Sequence, residues 1–417
     1  MPDSDGGKAV MPQSLIKEEH VLAALTADRG VSAQLISWSL QKFIEAGENA
    51  TSFVICVQVE FSQNGKKERT NYIAKLNPLR GENWTDFMRM AFKKEIRFYN
   101  EIEPALTSQL KNGGLDALKI PRCFFASLQQ DKEIILQEDL RAQGFQKYDR
   151  RKTMDISHAT VVLQEMARFH ASSFLLQAAE SQDFHLKYDY LFLHWSNYKP
   201  KSGETYRVVM ADSLDNARVL LETVDGYGRA AEWVESIKPR VLNMFKEHTT
   251  TTPPFSSVCH FDLVNNNFLF RYDEPGDPVD VRILDFQMCY VASLATDIAE
   301  FFYTCLSSHD RKTHLDRLLF IYFASFSNVL KASGKAIPFT YKELQDEYKA
   351  KFLYGVVAAI CKLPIIVAEE DEIPDMDSYV DQKTFSNTQQ SSMITMIQKY
   401  NNFQPRFLSI FKELNLT

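Results

Sequence analysis

The sequence predicts a two-lobed α+β chain, with a small lobe that mixes strands and a helix followed by a larger, mainly helical lobe. Three observations carry this. Ser52 to Phe61 (SFVICVQVEF) and Arg69 to Leu76 (RTNYIAKL) are rich in β-branched and aromatic residues. They flank a polar turn around Asn64-Gly65 and read as an antiparallel hairpin. From about Asp155 the apolar spacing turns mostly helical. One β island interrupts the helices: Phe268-Leu269-Phe270 and Val279 to Leu284, either side of the turn Asp273-Glu274-Pro275-Gly276-Asp277.

In chain order, the first hairpin is followed by a helix over Thr85 to Ile102, stopped by Pro104. Glu133 to Leu136 gives a short strand. Helices follow over Ile156 to Ala178, Ser213 to His248, Thr296 to Ser307, Leu315 to Ala332, Tyr341 to Cys361 and Thr388 to Phe411, the last broken before Pro405. A chain of 417 residues that is 45% hydrophobic can bury a core in each lobe.

Composition excludes several classes. A net charge of −7 gives no general attraction to nucleic acid or anionic membrane, and neither is expected as a partner. Met1 to Leu15 is polar and lacks the apolar centre of a signal peptide. The longest apolar stretch, Phe352 to Ala368, contains Lys362 and Pro364 and is about one turn short of a bilayer span. It reads as a buried helix followed by a turn. The six cysteines show no CxxC pair and no metal-ligand spacing, so reduced thiols in a cytoplasmic protein are expected, without disulfides or structural zinc.

The densest chemical signal is Cys259-His260-Phe261-Asp262-Leu263-Val264-Asn265-Asn266-Asn267, followed after the hairpin by Leu284-Asp285-Phe286-Gln287. Phosphoryl transfer from ATP needs one carboxylate to orient an attacking hydroxyl, and a second carboxylate with an amide oxygen to hold Mg²⁺. An Asp with an Asn five residues on supplies the first carboxylate and one metal ligand, and Asp285, ending the next strand, supplies the second. Turn chemistry alone also favours Asn and Asp in such a loop. The HxDxxxxN spacing nevertheless arises by chance in roughly a few per cent of chains this long, and the hairpin plus Asp-Phe reduces that further.

The second signal lies in the small lobe. Asn71, Ile73 and Lys75 share one strand face, which can aim Lys75 at a bound phosphate. On the next helix Glu95 lies in line with Phe87, Ala91, Phe98 and Ile102. A carboxylate on a buried helix face needs a cation, and Lys75 is the natural partner; the alternative is a Glu95 that reaches water at the edge of that face. A phosphate-covering loop is expected just before the first strand, in Ala46-Gly47-Glu48-Asn49-Ala50-Thr51-Ser52, where Gly47, Asn49 and Ser52 are the candidates. Neither GxGxxG nor GxxxxGK[ST] is present. After the lobe's last strand, Glu138 and Leu140 mark where a hinge offers backbone groups to an adenine ring.

Taken together, Gly47, Lys75, Glu95, Glu138-Asp139-Leu140, Met166 to Ser172 (MARFHAS), the Asp262 loop and Asp285-Phe286-Gln287 to Asp297 resemble the ecdysteroid kinase-like (CHK kinase-like) family. The likeness runs from roughly Gly47 to Ala368. That family is grouped with choline kinases and aminoglycoside phosphotransferases in the protein-kinase-like fold. The resemblance implies a bilobal protein-kinase-like fold, with residues 1–139 as N-terminal extension and nucleotide-binding small lobe and 140–417 as helical lobe. It implies Asp262 as catalytic aspartate, Asn267 and Asp285 as Mg²⁺ ligands, and Lys75 as phosphate-binding lysine with Glu95 its partner. Asp297 resembles an aspartate that buttresses the catalytic loop; read locally, it is equally a helix start with a capping residue. His170 and His260 match family positions and read as structural. Phe261 departs from the pattern, standing where many relatives carry glycine, and Leu263-Val264 replaces a common leucine-tryptophan.

The reading implied is an ATP- and Mg²⁺-dependent phosphotransferase with an alcohol acceptor, a hydroxyl of an ecdysteroid-like steroid or a xenobiotic, in a monomer or weak dimer. Two alternatives stay open. One is a choline- or aminoglycoside-type kinase with a cationic substrate, to which the acidic run Glu369 to Glu372 would contribute; the other is a pseudokinase scaffold. The aromatic stretch Tyr188 to Trp195 supplies rings for a pocket wall or for core.

Overall fold

Alternating apolar and polar residues make Phe53 to Leu76 a long hairpin, and four-residue spacing of apolar side chains lays the helices of the second half against one another. The computed structural model describes residues 11–42, 52–78, 82–180, 184–193, 200–250, 253–368, 393, 395 and 403–417. The strands are β1 (Gln34–Lys42), β2 (Phe53–Gln63), β3 (Lys66–Leu76), β4 (Cys123–Ser127), β5 (Ile134–Glu138), β6 (Gln146–Lys147), β7 (Ser256–Cys259), β8 (Phe268–Tyr272), β9 (Pro278–Ile283) and β10 (Tyr290–Ser293). The helices are α1 (Glu18–Arg29), α2 (Glu82–Arg97), α3 (Glu103–Asn112), α4 (Ile156–Ala179), α5 (Phe184–Lys187), α6 (Pro200–Glu222), α7 (Gly228–Ile237), α8 (Val241–Thr249), α9 (Leu294–Cys305), α10 (Ser308–Ala332), α11 (Tyr341–Val367) and α12 (Phe403–Glu413).

The architecture is the expected one, a small antiparallel sheet with a helix beside it and a mainly helical remainder. The sheet runs β1-β2-β3-β5-β4. Tyr72, Ala74 and Leu76 of β3 join Ile134 and Leu136 of β5 under Val21, Ala24 and Leu25 of α1, which covers one face. Lys75 therefore points to the other face, beside α2. In the larger lobe, β7 pairs with β10 and β6-β8-β9 form a second small sheet. These strands bracket two loops: residues 260–267 leave β7, and residues 284–289 lead into β10. The register Cys259 opposite Tyr290 holds the two loops side by side.

Prolines and glycines account for where helix boundaries differ from expectation. Pro104 does not stop a helix; α2 passes through a π turn at Phe98–Ile102 into α3, whose first turn takes the proline. Pro405 lies within α12, and the expected helix before it, Thr388 to Asn402, lies outside the described residues apart from 393 and 395. The long helix expected over Ser213 to His248 is three, divided around Gly226 to Gly228 and at Lys238-Pro239-Arg240. Conversely, α11 runs on through Pro364 to Val367. At 27 residues it is long and apolar enough to cross a membrane, and 67% of its most apolar window is buried within this fold.

The partner of α11 is α9, and their approach is set by one missing side chain. A Cβ on Gly355 would stand 2.3 Å from the backbone oxygen of Ala299. On an exposed helix, glycine to alanine stabilises by about 1 kcal/mol. Here the sign should reverse: Gly355→Ala is expected to lower stability by about 1–3 kcal/mol through overpacking, measured as an earlier midpoint in denaturant unfolding.

Candidate active site

Two lysines organise the charged groups at the junction of the lobes. From β3, Lys75 Nζ donates to Glu95 Oε2 of α2 at 2.5 Å and also to Asp285 Oδ1, 210 residues on. Glu95 is 1% exposed. Burial would pull Lys75 down, but Asp285 and Glu95 together outweigh it and the lysine is pushed up, firmly charged. With two carboxylates sharing one cation, burial pushes Glu95 up against the pull of Lys75. Gln287 Nε2 donates to the other Asp285 oxygen at 3.0 Å.

The loop after β7 is gripped from beneath by Asp297. Its Oδ2 accepts from the His260 backbone N–H at 2.6 Å and its Oδ1 from that of Phe261 at 3.0 Å. His170 also contacts Asp297 Oδ2, at 3.1 Å, and its other ring nitrogen meets Tyr322 Oη at 2.7 Å. The cap of α9 is Ser293, whose Oγ accepts from Ala295 N–H, so Asp297 lies inside the helix and faces the loop. Burial alone would raise Asp297; His170 and the loop amides hold it below the ordinary carboxylate range. Cys259 lies with His170 and Asp297 in a buried group of metal-ligating types, but both ring nitrogens and both carboxylate oxygens already have partners.

Phe261 has φ +64°, in the left-handed region that glycine adopts freely, which gives a physical reason for glycine at this position elsewhere. Its N–H on Asp297 and its ring edge-on to Tyr290 and Tyr354, each 5.7 Å away, hold it there. His260 Nδ1 accepts from Asp262 N–H at 3.2 Å, so Nε2 carries the hydrogen and donates to Leu284 O at 2.9 Å. Burial lowers this histidine and keeps it neutral.

Asn267 Nδ2 donates to Asp262 Oδ2 at 3.0 Å and to Asp262 O at 2.7 Å, and Leu284 N–H donates to Asn267 O at 2.9 Å. Through Leu284, Asp262 and Asn267 are thus tied to the segment that carries Asp285. That residue is also left-handed, at φ +67°. Phe286 stacks on Phe98 at 4.0 Å and 4°, linking the end of α2 to Asp285.

Lys75, Glu95 and Asp285 are thus in contact, as are Asp262 and Asn267. Ser52 is buried just before β2; Gly47 and Asn49 lie outside the described residues. Glu138 ends β5, accepting from Arg122 N–H and Gln143, and Leu140 is buried in the turn that follows. Tyr188, Tyr190 and Leu191 are buried core residues; His194, Trp195 and the acidic run Glu369 to Glu372 lie outside the described residues.

Three charged residues were missed. Lys362 of α11 donates to Asp262 Oδ1 at 2.8 Å, to Phe261 O at 2.9 Å and to Glu300 Oε1. Lys94, beside Glu95, donates to Cys289 O at 3.0 Å and is pulled down to about 7 by burial. A cation inside an apolar run, and a second acid one turn after Asp297, were the available signals. Burial alone would raise Asp262, but Lys362 and the hydrogen bond from Asn267 lower it and keep it ionised.

The model of the ecdysteroid kinase-like family matches residues 46–335. No curated protein sequence matches. Among solved structures the chain is similar to a microcompartment-associated aminopropanol kinase (10% identity, 94% of this chain and 99% of that one, TM-score 0.40). It is also similar to an ethanolamine kinase of Plasmodium vivax (11%, 89% and 84%, 0.38) and to choline kinase LicA of Streptococcus pneumoniae (14%, 82% and 98%, 0.33).

Removing the Asp297 carboxylate leaves two buried amides unpaired, so Asp297→Ala is expected to cost about 3–5 kcal/mol. The sign of its pH dependence follows from the depressed folded pKa. The gap between wild type and variant is full above the unfolded carboxylate value of about 4 and narrows as pH falls toward the folded value. Denaturant unfolding at a series of pH values checks this; a gap that widens in acid contradicts it.

Proposed function

The chain belongs to the ecdysteroid kinase-like family, and on that premise we propose that it is a small-molecule kinase. It transfers the γ-phosphoryl group of ATP to a hydroxyl of an ecdysteroid-like steroid or xenobiotic metabolite. The observation that carries the reading is the bridge from Lys75 to Asp285, backed by Glu95, which brings a strand of the small sheet onto the loop beside Asp262.

In this reading Asp262 orients the acceptor hydroxyl and takes its proton as the new O–P bond forms and the bond to the β-phosphate oxygen breaks, the electron pair leaving with ADP. Lys75 turns to the α- and β-phosphates while Glu95 keeps it in place. The donor set fits Mg²⁺: Asp285 offers a carboxylate, and Asn267 turns its Nδ2 to Asp262, leaving its amide oxygen as the atom for a hard cation. When bound, that ion offsets the charge of the triphosphate. The backbone around Glu138 and Leu140 serves the adenine ring, and the segment holding Gly47, Asn49 and Ser52 covers the phosphates.

Incubation with Mg·ATP and a library of hydroxylated metabolites that includes ecdysteroids, choline and aminoglycosides should yield a phosphate adduct, detected by mass spectrometry, on an apolar polycyclic alcohol. An adduct confined to cationic amines would instead support the choline-type alternative. ATP bound but never turned over would support a scaffold. Asp262→Asn should cut turnover by about a hundredfold or more while nucleotide binding persists. A variant with near-normal turnover refutes the role of Asp262.

A further inference from the structure

Lys362 is a charge in a segment otherwise built to be dry. The run Val356 to Val367 reads VVAAICKLPIIV, and most of its apolar side chains are buried. An ammonium there is unfavourable unless counter-ions meet it, and an apolar residue of similar length would fill the volume with less desolvation. The helix brings it to one place in particular. Gly355 rests on Ala299, and Lys362, two turns further along the same face of α11, meets Glu300, the next residue of α9. Its three hydrogens go to Glu300 Oε1, Asp262 Oδ1 and Phe261 O, the full donor capacity of an ammonium.

Glu300 is 0% exposed, and among the described residues its Oε2 has no hydrogen-bond partner. A glutamate so placed makes little sense for stability, because one of its oxygens is desolvated without compensation. The arrangement repeats the one at Lys75. There, a lysine bridges a buried glutamate and Asp285. Here, a lysine bridges a buried glutamate and Asp262.

We propose that Lys362 is a positioning residue of the phosphoryl-transfer site, anchored by Glu300, that fixes the Asp262 carboxylate and offsets its charge as the γ-phosphoryl group approaches. This rests on the kinase reading above. With Oδ1 held by Lys362 and Oδ2 by Asn267, the carboxylate plane is fixed from both sides. An acceptor hydroxyl then meets one defined lone pair. The ammonium beside it reduces repulsion between the carboxylate and the phosphoryl oxygens at short range.

The test is a cycle of variants of the full chain, assayed for ADP formation from Mg·ATP with the acceptor found above and, separately, for ATP binding by thermal shift. Lys362→Met should lower kcat by about ten- to a hundredfold with little change in ATP affinity, and Lys362→Arg should recover part of the loss. Because Lys362 acts through Asp262, adding Lys362→Met to Asp262→Asn should lower kcat no further. If Lys362→Met does not fold, the charge-balanced pair Glu300→Gln with Lys362→Met is measured in its place, with the same loss expected. An active wild type with an equally active lysine variant, or losses that multiply in the double variant, overturns the role of Lys362 alone. A wild type that turns over no Mg·ATP overturns the kinase reading and this role with it.

Discussion

An ion taken out of water must touch its counter-ion, and the junction of the two lobes is built around that constraint. Lys75 and Lys362 each lie between two carboxylates, one of them a glutamate removed from solvent. Neither lysine can leave its glutamate without stranding a buried charge. Each is therefore a fixed point against which a second carboxylate, Asp285 or Asp262, is placed. The fold has to bring six elements together to satisfy these ions, namely β3, α2, α9, α11 and the two loops that carry Asp262 and Asp285, and in doing so it assembles the site.

Helix α9 does most of that work on the large-lobe side. Asp297 and Glu300 stand one turn apart on it, so the same face that holds the loop backbone also holds the lysine that holds the loop's side chain. The phase of this face is set by the Ser293 cap, and its distance from α11 by the absent side chain at Gly355. The stack of Phe286 on Phe98 carries the placement across to α2, which presents Glu95. A shift in either helix would thus move the ends of both lysines relative to the carboxylates they serve.

Where the sequence was legible, a residue's neighbours in the chain were enough to state its environment. The hairpin through Lys75 followed from alternation and Asn-Gly. Glu95 showed itself as an acid in an apolar row, and the Asp262 and Asp285 loops as fixed spacings around a hairpin. Helix ends were less legible because a proline reads the same whether it closes one helix or opens the next, as at Pro104. Strands β4, β7 and β10 were missed because each is short and exists through its pairing partner, and β1 was missed although Ile36, Trp38 and Leu40 alternate with polar residues. Lys362 and Glu300 were hidden for a related reason. Their meaning depends on the contact of two helices set by Gly355, which no window along the chain contains.

Asp262 and Asp285 have both oxygens engaged from within the protein, by Lys362 and Asn267 and by Lys75 and Gln287. On the proposed reading, ligands must exchange with these partners rather than enter empty space. The glutamates make such an exchange feasible. When Asp285 turns to a cation, Lys75 still has Glu95, and when Asp262 takes up a hydroxyl, Lys362 still has Glu300. With a single counter-ion, each lysine would either hold its aspartate too firmly to release it or be left unpaired on release. Among the described residues Glu300 Oε2 has no partner, and burial raises both glutamates against the pull of their lysines, which is what the second carboxylate in each arrangement costs.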